Sequence, residues 1–177
     1  MTQILLLRHA EAAPHAPQGD IFRPLSAAGR DECAHIGEWL RRHKLAPDWV
    51  AASTAQRTRE TAALVLALQP SAHPPQFDEA LYNGDAARLW AALASGAGER
   101  RMLVGHNPAI SDLACVLTAL ADPHAVHSLD SGMPASGMPT CGLAVFETKI
   151  PARADLNEMA GAVRFIAFVS PKSASAV

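Results

Sequence analysis

The chain has 177 residues, of which 49% are apolar and 18% charged, with 15 Lys and Arg against 17 Asp and Glu. This is the composition of a single globular domain with enough chain to bury a core, and it excludes a disordered polymer. A net charge of −2 leaves no broad basic face for nucleic acid, and no apolar stretch approaches the length that spans a bilayer, so neither nucleic acid nor a membrane is an expected partner. The short apolar run near the start has no basic segment before it, so a soluble, cytoplasmic protein is expected. Cys33, Cys115 and Cys141 are widely spaced and form no C-x-x-C, which fits small, reduced, core-like residues.

The first element is read from "ILLLRHAEA": residues 3–8 form a short apolar strand that stops at Arg8 and His9. "LSAAGRDECAHIGEWLRRHK" follows as a helix capped by Ser26, with Cys33, Ile36, Gly37 and Leu40 on one face. "DWVAAS", residues 48–53, is a second strand. The next helix begins in "STAQRTRETAALVLAL", where Ser53 and Gln56 fit a capping box. "NGDAARLWAALA" has helical spacing, and "RRMLVGH", residues 100–106, is another apolar strand.

"NPAISDLACVLTAL" is a helix with Asn107 as N-cap and Pro108 as its first residue. Residues 121–140, rich in Pro, Gly and Ser, read as a long loop. "CGLAVFET" and "VRFIAFV" are late strands joined through "PARADLNEMAG", and 171–177 is a frayed tail. Strands alternating with helices give an α/β fold with a largely parallel sheet, and the late pair adds an antiparallel edge. One domain, 1–177, is expected.

Three strand ends carry unusual residues. Arg8 and His9 close the first strand, Arg57 lies in the first turn after the second, and His106 closes the strand 100–105. If these strands are parallel neighbours, the four side chains converge beyond the carboxyl edge of the sheet, where open α/β sheets bind ligands. Helix N-termini and two guanidinium groups there suit phosphate. One neutral imidazole can attack phosphorus while the other hydrogen-bonds the phosphoryl oxygens, and the arginines take the place of a cation. No cofactor or metal is called for. His124 and His127, near Asp122 and Asp130, give an H-x-x-H in a loop, which is weak evidence for zinc. Trp39, Trp49 and Trp90 read as packing residues.

These residues resemble the histidine phosphatase superfamily, with its phosphoglycerate-mutase-like fold. "LLLRHAEA" is similar to the R-H-G signature, with Ala10 in the glycine's place, and "FRPLSAAG" matches R-P-L-[ST]-x-x-G. Ser53, Arg57 and Thr61 match S-x-x-x-R-x-x-x-T, and "LVGHNP" is similar to the segment that carries the second histidine. "MPTCGLAVFE" resembles the late strand of the short bacterial branch, that of SixA-type phosphohistidine phosphatases.

The resemblance implies a three-layer α/β/α sandwich and a metal-independent phosphatase working through a phosphohistidine on His9. It implies that Arg8 and Arg57 clamp the phosphoryl group, that His106 completes the pocket, and that Arg23 and Asn107 join it. Many members place a glutamate after the third strand, where Glu79 stands in "FDEALYNGD", with Asp78 and Asp85 as nearby alternatives. The implied partner is a phosphorylated substrate, in this branch a phosphohistidine-bearing protein. A small-molecule phosphomonoester is the alternative substrate, and a non-catalytic phosphate-binding module the alternative class. The sequence leaves the oligomeric state open.

Overall fold

The computed structural model describes residues 1–69, 73–121, 136–149 and 156–174. Six strands form one sheet: β1 (Thr2–Arg8), β2 (Trp49–Ser53), β3 (Gln76–Asp78), β4 (Arg100–Gly105), β5 (Leu143–Thr148) and β6 (Val163–Val169). Their order is β3-β2-β4-β1-β5-β6. β1 pairs parallel with β4, β4 with β2 and β2 with β3, whereas β5 runs antiparallel to both β1 and β6. The sheet is therefore mostly parallel, with an antiparallel pair on one flank.

Among the described residues five α-helices cover it: α1 (Ala27–Arg42), α2 (Gln56–Leu66), α3 (Ala86–Ser95), α4 (Ala109–Leu120) and α5 (Pro171–Ala174). Strand residues alternate between the two faces. Ile4 and Leu6 share a core with Leu89, Leu93, Ile110 and Leu113 of α3 and α4. Leu5 and Leu7 share another with Ile36 and Leu40 of α1, Val65 of α2 and Ala174 of α5. Both faces of β1 are dry, which explains an unbroken aliphatic run where a one-sided strand would alternate. The architecture is a three-layer α/β/α sandwich. The three tryptophans are all buried, from 3% to 9% exposed.

Several local expectations change. Ser26 does cap α1, its Oγ accepting from Gly29 N at 3.0 Å. The capping box at α2 does not form: the N-cap is Ala55, and the Ser53 hydroxyl is taken up by Thr58 and His106. Asn107 does not cap α4, which starts at Ala109 after a cis Asn107–Pro108 bond. Strand β3 has no pattern of its own to mark it, because "QFD" is short and mostly exposed, and only the resemblance puts a strand before Glu79. The expected tail begins with a helical turn that buries Ala174 against the α1 face. Cys33 and Cys141 are buried, but Cys115 is exposed on α4. Most of the 121–140 loop, with His124 and His127, lies outside the described residues, as do 150–155 of the late connection.

Candidate active site

β1 and β4 end side by side, with Arg8 opposite Gly105, and β2 ends on the far side of β4 at Ser53. The chain turns after each strand and delivers Arg8, His9, His106 and Arg57 to one edge, the convergence expected from parallel neighbours. The backbone around His9 is held from two directions. Its N–H donates to Gly105 O at 3.0 Å, and its carbonyl accepts from Cys141 N at 3.1 Å. The next residue, Ala10, donates from its N–H to Thr61 Oγ1 at 3.0 Å, and Thr61 in turn donates to Arg57 O at 2.7 Å. Thr61 thus ties the loop after β1 to the turn that carries Arg57. Ala10 is fully buried and does not have a positive φ, so a methyl group stands there without backbone strain.

His9 Nδ1 lies 2.8 Å from Ala10 O. A carbonyl can only accept, so Nδ1 carries the hydrogen and Nε2 keeps its lone pair. Burial is the main cause that lowers the His9 pKa to about 4; its hydrogen bond to Ala10 opposes this, and Arg57, Arg8 and Arg23 add to it. The ring is neutral at pH 7, as a nitrogen nucleophile requires. The His106 ring lies 5.1 Å from it, centroid to centroid, tilted by 55°. Burial, then His9 and Arg57, lower the His106 pKa to about 3. Its Nε2 is 2.6 Å from Ser53 Oγ.

Among the described residues, three buried side-chain polar atoms have no hydrogen-bond partner: Arg8 Nε, Thr54 Oγ1 and His106 Nδ1. Such groups are rare and mark strain or function. Two of the three belong to this edge. Arg8 also donates from Nη1 to Met138 O at 2.8 Å, and burial lowers its pKa.

Arg57 is buried, its side chain 8% exposed, and its partner is Asp20. Nη1 donates to Asp20 O at 2.8 Å and Nη2 to Asp20 Oδ2 at 2.9 Å. Arg23 donates to Asp20 Oδ1 at 2.8 Å and to Ala13 O at 2.6 Å. Tyr82 donates to Asp20 Oδ2 at 2.6 Å while its ring stands edge-on to His106, centroids 5.4 Å apart. Bonds from Tyr82, Arg23 and Arg57 hold the Asp20 carboxyl well below the usual carboxylate range. Asp20 and Tyr82 escaped the sequence reading. Asp20 opens a 3-10 turn of three residues, Asp20–Phe22, too short to leave a periodic pattern, and the chain's lone tyrosine belongs to no motif.

The remaining candidates are Asn107, Glu79, Asp78 and Asp85. Asn107 donates one amide hydrogen to Met138 O at 3.1 Å and accepts from Ser111 at 2.6 Å, which ties it to the 136–142 segment and leaves its second amide hydrogen for a ligand. Glu79 is exposed in the 3-10 turn after β3, with no hydrogen bond to Arg8, His9, Arg57 or His106. Asp78 and Asp85 are caps, accepting from Ala80 N and Arg88 N. No group of His, Cys, Asp and Glu among the described residues is arranged to hold a metal, and no described helix is long and apolar enough to cross a membrane.

Residues 4–98 match the model of the histidine phosphatase superfamily, branch 1. An uncharacterized protein of Mycobacterium tuberculosis is 33% identical over 137 residues, 75% of this chain and 84% of that one. Two solved structures carry provisional names as phosphohistidine phosphatase SixA. The one from Agrobacterium tumefaciens has a TM-score of 0.73 at 29% identity, covering 96% of this chain and 98% of that chain. The one from Nakamurella multipartitia has a TM-score of 0.77 at 27% identity, covering 96% of each.

Proposed function

The chain belongs to the histidine phosphatase superfamily, branch 1, and from that premise we propose that it is a metal-independent phosphatase acting on phosphohistidine in a protein, through a phosphohistidine of its own on His9. The observation that carries this reading is the fixed tautomer of His9, whose Nδ1 is bonded to Ala10 O and whose Nε2 is bare.

In the first step Nε2 attacks phosphorus, and the bond to the leaving group breaks with its electron pair going to the leaving atom. Arg8 and Arg57 balance charge on the phosphoryl oxygens, Arg23 adds to the same field, and His106 completes the cradle. In the second step water attacks the phosphorus on His9, releasing phosphate and restoring the neutral ring. Guanidinium groups supply the positive charge a metal would otherwise bring.

Among the described residues no carboxyl group is positioned to protonate a leaving oxygen, which favours the protein substrate. A leaving imidazole departs readily once its ring is protonated, whereas an alkoxide needs a proton from the enzyme. Glu79, Asp78 and Asp85 are not bonded into the site, and Asp20 is held ionised. The two SixA-named relatives support the same substrate class.

The test is phosphate release from a phosphohistidine-bearing protein with chelator present. Wild type should release phosphate, and His9→Ala should lose activity by about 10³-fold or more. Equal release by both would remove His9 from the chemistry. Release only from a phosphomonoester would assign the small-molecule substrate, and binding without turnover would make the domain a phosphate reader.

A further inference from the structure

Behind His106 lies a line of hydroxyl groups. Ser53 Oγ is 2.6 Å from His106 Nε2 and 2.8 Å from Thr58 Oγ1. Thr58 Oγ1 is 2.7 Å from Ala55 O and 2.9 Å from Ser53 O. Ser53 and Thr58 are both 0% exposed. The line ends on carbonyl oxygens, which only accept, so Thr58 spends its one hydroxyl hydrogen there. Thr58 Oγ1 must then accept from Ser53, and Ser53 must accept from His106. Any other order leaves lone pairs facing each other across one of these short contacts.

We infer that the Ser53–Thr58 hydroxyl chain holds His106 as its Nε2–H tautomer, so that Nδ1 is a bare lone pair that takes up a proton when a phosphoryl group binds. Nδ1 is the ring's buried, unpartnered nitrogen. A lone pair repels phosphoryl oxygens, whereas an N–H attracts them, so an arriving anion raises the ring's affinity for a proton. The charged groups facing the ring are Arg57 and Arg8, which oppose protonation, and Asp20, which favours it; His9 opposes it only when its own ring is charged, and Tyr82 meets the ring edge-on. A bound dianion offsets the two arginines. The balance is one proton to Nδ1, taken from the phosphoryl oxygen of a monoanion or from solvent when a dianion binds. Ser53 and Thr58 are positioning residues, since they act through His106. The inference deepens the phosphatase reading and rests on it only for the identity of the ligand.

Ring ¹⁵N–¹H spectra of the intact protein test it without turnover, with His106→Asn to assign the signals. Free wild type at neutral pH should show hydrogen on Nε2 and none on Nδ1. Tungstate, a dianion that brings no proton, should convert the ring to the doubly protonated form. Calorimetry in two buffers of different ionisation enthalpy should read uptake of about one proton, retained in His9→Ala. Thr58→Val keeps the shape but removes the hydroxyl, which frees Ser53 to donate to Nε2. The tautomer should switch to Nδ1–H and proton uptake should fall toward zero, while Thr58→Ser keeps the wild-type behaviour.

An Nδ1–H ring in the free wild type, tungstate binding without proton uptake, absence of tungstate binding, or a folded Thr58→Val protein with an unchanged tautomer would each overturn the inference. If Thr58→Val does not fold, the wild-type spectra decide alone. A chain that takes up the proton with tungstate but releases no phosphate from any substrate would defeat the phosphatase reading and leave this one standing.

Discussion

At the level of single residues, the site runs on neutral imidazoles in a field of guanidinium groups. His9 and His106 keep pKa values near 4 and 3 in the fold, far below the ordinary value. Below about pH 6.5 the unfolded chain protonates both rings while the native chain does not. The unfolded state therefore binds more protons, and stability must fall as pH drops from there toward pH 4, by about 1.4 kcal/mol per unit for each ring, before levelling off below the folded pKa values. Urea unfolding at successive pH values should show this slope, and His9→Asn should make it shallower. Asp20 gives a second expectation. Its carboxylate occupies donors of Arg57 and Arg23 that an incoming phosphate would also use. Asp20→Asn should tighten tungstate binding by up to about 1 kcal/mol, near fivefold, the scale of an exposed ion pair. Weaker binding in a titration of the variant would mean that Asp20 shapes the clamp instead of competing with the ligand.

At the level of elements, strand ends and helix starts do the positioning, and these were readable from the chain. The aliphatic runs of β1 and β4 and the spacing of α1 mark a sheet edge at Arg8, His9 and His106, because burial on both faces leaves a pattern in the residues themselves. What escaped depends on contacts distant in sequence. Ser53 reads as a helix cap, yet its hydroxyl is claimed across the sheet by His106. Asn107 reads as a cap too, but Met138 and Ser111 hold its amide. Strand β3 has no burial pattern to betray it. Gly29 shows how close the packing is between the loop after β1 and the start of α1. A Cβ there would collide with the Glu11 carbonyl oxygen. Gly29→Ala should cost about 1–3 kcal/mol, and because Glu11 follows Ala10 and His9, turnover should fall as well. Thermal melts with activity measured well below the transition check both parts, and an unchanged melting temperature would mean the loop simply yields.

At the level of the whole molecule, the central strand is the earliest in sequence, flanked by β4 and β5 from the later half of the chain. The same holds for His9, whose amide and carbonyl are gripped by Gly105 and Cys141. Chain order and spatial order are thus inverted at the point that matters most for chemistry. Long-range pairing of this kind must close large loops before any contact rewards it, which slows folding. During synthesis the strand with His9 emerges before both of its neighbours and waits for them, so a fragment ending before β5 cannot hold the ring in its working geometry. Recovery of phosphatase activity after dilution from urea should coincide with the last step of refolding and never precede it. A cell would then acquire this catalyst all at once, only after β5 has been made and docked, with no partly folded form free to strip phosphoryl groups.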